Sequence, residues 1–296
     1  MNKSIANLTI LLLIGLGLAA SVRGEALTNA VIVPVKFSHG RVVIPARLNG
    51  SDPLTFLLDS ACTIPTLHPS LLEKLTLEQS GHVTINGIAG EERAPTYRGV
   101  IFDLKGASYS PHRVAVVPSE AEQRRRTDGV LGSGFLRRFV VEIDPSAKQI
   151  HLYSPTNFLY SGKGEILPFR FKSEIPVVKA SIVFGDDPPI EGEFEIDTGC
   201  DSGLCLGSAF VQRNKLLDQI KTRSDEKFGI GGSVETKSGT LPLLRLGNLE
   251  VRNSQTDLFM KGSPVDDPLA GHIGMGILHH YKVIFDYSRK QLIIER

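Results

Sequence analysis

The sequence FLLDSAC at residues 56–62 returns as FEIDTGC at residues 194–200. Both copies place an Asp-Ser/Thr-Ala/Gly tripeptide directly after a mostly apolar segment. One copy alone is a weak signal, because Asp and Ser/Thr side chains commonly bond their own backbone in turns at strand ends. The second copy, and the motifs that accompany both, therefore decide what the tripeptides mean.

The motifs that follow the two tripeptides are repeated in the same order. A Gly-x-x-Gly sequence occurs at residues 87–90 and again at 229–232. The sequence GVLGSGFL at 129–136 aligns with GHIGMGIL at 271–278, and the ungapped alignment extends over 24 positions with nine identities. A solenoid needs about three or more stacked units. Two copies instead predict one lobe that is duplicated, which gives two lobes related by pseudo-twofold symmetry.

Each predicted lobe is mainly β with short helices, because short apolar segments rich in β-branched residues alternate with turn residues. The lobes cover residues 25–158 and 159–296, and the polar stretch 154–165 is the expected linker between them. The clearest predicted strands are 31–37, 56–58, 114–117 and 140–143. The predicted helices are 69–75, 135–139, 208–217 with Ser208 as N-cap, and 277–281.

The composition excludes several classes of function. The 296 residues carry 33 Lys and Arg against 32 Asp and Glu, a net charge of +1, which argues against a nucleic-acid partner. The 41% hydrophobic residues exclude an acidic disordered chain. Eight His residues occur without a C-x-x-C or H-E-x-x-H motif, so we expect neither a metal site nor another cofactor.

The N-terminus predicts export. Lys3 precedes an apolar run over residues 8–20, and the small residues Ser21 and Gly24 follow. This pattern is typical of a secretory signal peptide, here residues 1–24, and the run is short for a membrane-spanning helix. We expect a periplasmic or secreted protein with no stable membrane span after signal removal, with an uncleaved N-terminal anchor as the alternative.

The repeated motifs resemble those of retropepsin-like and pepsin-like aspartic proteases, and most closely those of bacterial two-lobed retropepsin-like proteins. The resemblance covers roughly residues 31–295 and includes apolar-apolar-Gly at 130–132 and Ile273-Gly274. It implies a two-lobed acid-protease-like β-barrel fold with one glycine-tipped flap in each lobe. The implied substrate-binding flap residues are Gly87, Ile88 and Gly90 in the first lobe and Gly229, Ile230, Gly231 and Gly232 in the second.

The same resemblance implies a catalytic pair, Asp59 and Asp197, at the lobe interface. Two carboxylates that lie close together share one proton, so one can act as a general acid and the other as a general base on a water molecule. Sequence alone does not assign the shared proton to either carboxylate. The hydroxyls of Ser60 and Thr198 are expected to lock the two loops against each other.

The interpretation is an exported aspartic endopeptidase, a two-lobed monomer that cleaves peptides or unfolded proteins. The alternative is a catalytically weak or inactive retropepsin-like protein that binds peptides. Two intact aspartates favour the enzyme. Ala61, which stands where the second lobe has Gly199, favours the alternative because its Cβ narrows the backbone options beside the dyad.

Two further departures from the family pattern lie beside the motifs. His272 replaces an apolar residue, and we expect it to be a partly exposed turn residue, with a catalytic role as the alternative. Cys62 and Cys200 each follow a tripeptide directly and are expected to be small buried residues, with redox-sensitive thiols as the alternative. A bond between Cys200 and Cys205 is conceivable, but spacing does not establish the geometry.

Overall fold

The computed structural model describes residues 30–117, 127–261, 265 and 267–296. The predicted signal peptide 1–24 and the basic run 124–126 lie outside these ranges. Within them, no helix has the length and apolar character needed to span a bilayer. The protein is mainly β, with 54% strand and 9% helix, as the sequence predicts.

The first lobe contains thirteen strands among the described residues. They are β1 Val31–Pro34, β2 Lys36–Ser38, β3 Arg41–Leu48, β4 Leu54–Leu58, β5 Thr66–Leu67, β6 Glu78–Gly87, β7 Gly90–Arg98, β8 Phe102–Leu104, β9 Ala107–Tyr109, β10 Val114–Val116, β11 Gly129–Leu131, β12 Val140–Asp144 and β13 Gln149–Tyr153. A 3₁₀ helix covers Pro69–Leu71, and helix α1 covers Ser133–Arg138.

The second lobe repeats this arrangement with eleven described strands. They are β14 Glu165–Pro168, β15 Arg170–Lys172, β16 Ile175–Val183, β17 Ile190–Asp197, β18 Leu204–Leu206, β19 Thr222–Gly229, β20 Gly232–Leu246, β21 Leu249–Phe259, β22 Gly271–Gly274, β23 Lys282–Asp286 and β24 Gln291–Glu295. Its helices are α2 Ser208–Arg213, α3 Leu216–Gln219 and α4 Met275–Leu278.

A six-stranded sheet built from both lobes joins them. Its order is β1-β13-β12-β23-β24-β14, so each lobe contributes three strands in mirrored order. The two halves meet where β12 pairs antiparallel with β23, with Val141 opposite Phe285. Phe285 is fully buried. The lobes are therefore connected through a continuous backbone hydrogen-bond ladder as well as through side chains.

Each lobe also has a large sheet of its own. In both sheets, the strand that leads into the Asp motif lies next to the strand of the Gly-rich motif. The first has the order β6-β7-β10-β5-β11-β4-β3-β8-β9, and the second has β15-β16-β17-β22-β18-β21-β20-β19 with an added β16–β20 pairing. In both, the strand before the Asp motif runs parallel to the strand of the later Gly-rich motif: β4 with β11, and β17 with β22. This pairing brings the ends of the two motifs together.

Several predicted elements differ from the observed ones. The predicted strand 31–37 is divided, since β1 pairs with β13 in the inter-lobe sheet while β2 pairs with β3. The helix predicted at 208–217 ends at Arg213 because Lys215 has a positive φ of 50°, and α3 follows. Ser208 is not its N-cap, because Gly207 holds that extended position. The helix predicted at 69–75 is limited to one 3₁₀ turn.

We expect Phe285→Ala to destabilise the protein by about 3–5 kcal/mol, because it removes a fully buried aromatic ring at the seam between the lobes. Urea unfolding followed by circular dichroism measures the effect. The matched control is Ile166→Ala on β14 of the same sheet, where the side chain is 45% exposed and a change within about 0.5 kcal/mol is expected. Equal midpoints for the two variants would contradict the role of Phe285.

Candidate active site

The two Asp motifs lie in short loops at the ends of β4 and β17. Each loop is tied to the Gly-rich turn of its own lobe: the Ser133 N–H donates to the Cys62 carbonyl and the Met275 N–H to the Cys200 carbonyl, both at 2.8 Å. A Cβ on Gly132 would collide with the Cys62 carbonyl oxygen. The repeated glycine is therefore required by the close approach of two backbones.

Four reciprocal hydrogen bonds join the two Asp loops across the lobe boundary. The Thr198 hydroxyl accepts from the Ser60 N–H at 2.9 Å and donates to the Leu58 carbonyl at 2.8 Å. The Ser60 hydroxyl accepts from the Thr198 N–H at 3.0 Å and donates to the Ile196 carbonyl at 2.5 Å. Ser60 and Thr198 are both fully buried. Each hydroxyl thus completes the backbone hydrogen bonding of the opposite lobe.

The two carboxylates are held in the same way by their own loops. Asp59 Oδ1 accepts the N–H groups of Ala61 at 2.9 Å and Cys62 at 3.1 Å. Asp197 Oδ1 accepts those of Gly199 at 2.8 Å and Cys200 at 3.2 Å. Backbone donors of this kind orient a carboxylate and favour its charged form.

Both carboxylates meet at Gly199. The Gly199 N–H binds Asp197, while a Cβ on Gly199 would collide with the carboxylate of Asp59 from the other lobe. Asp197 is 8% exposed, and Asp59 is half-buried. The structure therefore brings the two sequence-predicted catalytic residues together at the lobe interface, beside one glycine that admits no side chain.

The site is not symmetric at the equivalent position of the first lobe. Ala61 has a Cβ where Gly199 has none, and the residue is half-buried. The two loops therefore present different surfaces to a substrate, although their backbone hydrogen bonds are matched.

His272 is not the partly exposed turn residue that the sequence predicts. The residue lies on β22, is 6% exposed, and contacts two carboxylates: Nδ1 is 3.0 Å from Asp197 Oδ2, and Nε2 is 3.0 Å from Glu195 Oε2. Burial by itself would lower the pKa of His272, but the hydrogen bonds to Asp197 and Glu195 and their negative charges raise it to about 10. His272 is therefore a buried imidazole in direct contact with two carboxylates, one of which belongs to the aspartate pair.

Sequence reasoning missed Glu195. The first lobe has Leu57 and Val130 as paired neighbours on β4 and β11, and the second has Glu195 and His272 at the equivalent positions of β17 and β22. The alignment of this glutamate with a leucine of the other repeat was the available signal. Because burying a charge is costly unless it is paired, that glutamate needed a partner such as His272.

The flap residues form the tips of two hairpins that touch each other. The first hairpin is β6–β7 and the second is β19–β20. The Ala89 N–H donates to the Ile230 carbonyl at 3.3 Å, and a Cβ on Gly87 would collide with the same residue. The hairpins meet tip to tip, with one contributed by each lobe.

Strand β19, which forms one side of the second flap, contributes a partly exposed lysine to an ion pair with a buried aspartate of β21. Lys227 Nζ lies 2.8 Å from Asp257 Oδ2, and Asp257 is fully buried with the hydroxyls of Ser202 and Ser238 also bound to it. Burial lowers the pKa of Lys227, but its hydrogen bond to Asp257 and the charge of that carboxylate leave it raised. The corresponding part of the first lobe is an apolar cluster of Ala94, Ala115, Val117, Ile64, Val83 and Ile85.

The three cysteines are free thiols. Cys200 Sγ lies 3.2 Å from Cys205 Sγ, and a hydrogen bond to Cys205 together with burial raises the pKa of Cys200. Cys62 and Cys200 are half-buried and Cys205 is buried. In the parts of the chain that the structure describes, no group of three or more His, Cys, Asp and Glu side chains is arranged to hold a metal ion.

A comparison with known protein families gives a match in the first lobe. Residues 44–135 match the sequence model of a family described as aspartyl protease. The match includes Asp59, the first flap and the Gly-rich turn, and it ends within the first lobe. No curated protein matches the chain. The match to the first lobe, together with the mainly β fold, supports a likeness of this chain to the retropepsin-like aspartic proteases.

Proposed function

We propose that the chain is an aspartic endopeptidase that hydrolyses peptide bonds between its two lobes. The observation that carries the proposal is the meeting of Asp59 and Asp197 at Gly199, held by the reciprocal bonds of Ser60 and Thr198. Two carboxylates in this arrangement cannot both ionise cheaply, so they share a proton. One then remains a base and the other an acid at the same pH.

The reaction follows from these two protonation states. A water molecule between the carboxylates loses a proton to the ionised aspartate as its oxygen attacks the peptide carbonyl, while the protonated aspartate donates to the carbonyl oxygen. The resulting diol collapses when the first aspartate returns its proton to the leaving nitrogen. The second aspartate recovers its proton from a diol hydroxyl, so the pair is restored.

The proposed substrate is an extended peptide or an unfolded protein. Flap hairpins that close over a cleft offer main-chain hydrogen bonds to an extended chain, which is the recognition mode of strand addition. The flap tips touch in this structure, so a substrate must part them to enter. The signal-like residues 1–24 support export, so we place the enzyme in the periplasm or outside the cell, acting as a two-lobed monomer without a cofactor.

A second candidate is a peptide-binding protein of the same fold with weak or no hydrolysis. Two observations favour it: Ala61 adds a Cβ beside the dyad, and Asp197 is largely buried and engaged by His272. The two candidates differ in turnover rather than in peptide affinity. Cleavage of a denatured protein across the acid-to-neutral pH range, with and without pepstatin, separates them.

We expect Asp59→Asn and Asp197→Asn each to lower kcat by about 10²- to 10⁴-fold, because each removes one partner of the acid–base pair. Release of peptides from a denatured protein substrate, with circular dichroism to confirm folding, measures the effect. The matched control is Asp52→Asn in an exposed turn, for which unchanged turnover is expected. A folded dyad variant with full activity would eliminate the proposed mechanism.

We expect opposite effects at the two equivalent loop positions. Gly199→Ala places a Cβ against the Asp59 carboxylate and should lower kcat/KM by at least about tenfold, since small misplacements of a reacting group are costly. Ala61→Gly removes a Cβ and should leave kcat/KM equal to or above that of the wild type. Steady-state kinetics on one peptide compares them, and a fully active Gly199→Ala enzyme would show that Asp59 does not need its observed position.

A further inference from the structure

We propose that His272, held between Glu195 and Asp197, is a positioning residue that keeps Asp197 as the ionised base of the dyad and leaves the shared proton on Asp59. The inference rests on the proposed function, since it assigns the two roles within that mechanism. It concerns a pair of side chains that has no counterpart in the first lobe, where Leu57 and Val130 stand at the equivalent positions.

The position of the imidazole between two carboxylates suits a ring that donates from both nitrogens. Nδ1 faces Asp197 Oδ2 and Nε2 faces Glu195 Oε2, each at 3.0 Å. A neutral imidazole has one N–H and one lone pair, so one nitrogen would then point its lone pair at a carboxylate oxygen. An imidazolium donates to both. Because Glu195 and His272 are each 6% exposed, water has little access to replace either bond.

The titratable groups that surround His272 either stabilise its protonated ring or stay neutral. Strand β17 contributes Glu195 and Asp197, which both stabilise the cation. Strand β18 contributes Cys205, directly opposite His272 in the antiparallel register, and the preceding loop contributes Cys200. The pKa of Cys200 is raised by its hydrogen bond to Cys205 and by burial, so this thiol stays neutral at physiological pH.

The consequence is an unequal pair of carboxylates. Asp197 accepts two backbone N–H groups on Oδ1 and the imidazolium on Oδ2, and all three interactions favour its ionised form. Asp59 accepts the matching two backbone N–H groups, but an apolar Val130 occupies the position of the imidazole. With one proton to share, the dyad places it on Asp59. Asp197 is then the base toward water, and Asp59 the acid toward the carbonyl oxygen.

The decisive variant is the double substitution Glu195→Leu with His272→Val, which gives the second lobe the apolar pair of the first. His272→Val alone would leave Glu195 buried and unpaired, so it would test folding rather than catalysis. The double variant keeps both aspartates and a packed strand pair. We expect it to fold and to cleave, with the acid limb of its kcat/KM–pH profile moved to higher pH by about one to two units.

A purely structural role of the pair would not move that limb. Such a role affects only the pH dependence of stability. The pKa of His272 is raised, so its stabilising contribution is complete below its unfolded pKa of about 6.5 and is lost as the pH rises through about 10. A double variant that has lost this stability dependence but keeps the wild-type acid limb would overturn the proposal.

A second measurement does not depend on activity. Ring ¹⁵N spectra of histidine-labelled protein report protonation, and we expect His272 to stay doubly protonated at about pH 8, above the usual histidine pKa of about 6.5. In Asp197→Asn its titration should move to lower pH, because one carboxylate is lost. In Asp59→Asn, the matched control, it should stay where it is. A His272 that titrates near 6.5 in the wild type, or shifts equally in both variants, would overturn the inference.

These outcomes separate the inference from the proposed function. If the wild type cleaves no substrate, the endopeptidase proposal fails, and the ring spectra still decide whether His272 holds Asp197 ionised. If the wild type cleaves and the double variant shares its acid limb, the function stands and the role of His272 fails. If the limb moves and His272 responds to Asp197→Asn alone, both stand.

Discussion

The site depends on the exchange of hydrogen bonds between Ser60 and Thr198. Each hydroxyl sits fully buried between an N–H and a carbonyl of the opposite lobe, so each loop is completed only by the other. A buried backbone group left without a partner costs about as much as a lost hydrogen bond. The two lobes therefore dock in one register, and that register sets where the carboxylates lie.

Other contacts across the lobe boundary accompany this one. In the six-stranded sheet, Val141 of the first lobe pairs with Phe285 of the second, and this pairing joins the two lobes. The flap tips meet at Ala89 and Ile230 on their own account, again one from each lobe. Gly199 admits no side chain, since its N–H binds Asp197 and a Cβ there would collide with the Asp59 carboxylate. A protein of this kind is built around an interface, and each lobe supplies half of every functional element.

Most of the fold was predictable from the sequence because its motifs occur twice, and a motif that is weak evidence alone becomes specific when it is repeated in the same order. One Asp-Ser-Ala is a turn, but two tripeptides followed by two glycine tips and two Gly-rich turns, in one order, predict paired lobes. The helix ends were less predictable. Lys215 adopts a left-handed conformation and divides the helix expected at 208–217, and no glycine or proline marks this break in the sequence. The strand expected at 31–37 divides because its halves belong to different sheets, a long-range constraint that local sequence does not carry.

The electrostatics of the second lobe were the least predictable part, and they carry the strongest physical argument. His272 was expected to be partly exposed because it precedes a glycine-rich motif that was read as a turn. Only the parallel register of β17 and β22 places it opposite Glu195, on the same face as Asp197. The register could be inferred from the first lobe, where Leu57 pairs with Val130, but the sequence comparison shows only two polar substitutions far apart in the chain.

In the proposed mechanism, the two aspartates must differ in basicity, and duplication alone does not make them differ. Two identical half-sites give two carboxylates of equal basicity, and the shared proton then has no preferred owner. Here the first lobe keeps apolar side chains behind its aspartate and beneath its flap, whereas the second has buried charge in both places: Glu195 with His272, and Lys227 with Asp257. Buried ion pairs are weak contributors to stability compared with apolar packing. The confinement of Glu195 and His272 to one lobe is therefore better explained by the contact of His272 with one of the two carboxylates than by any gain in folding.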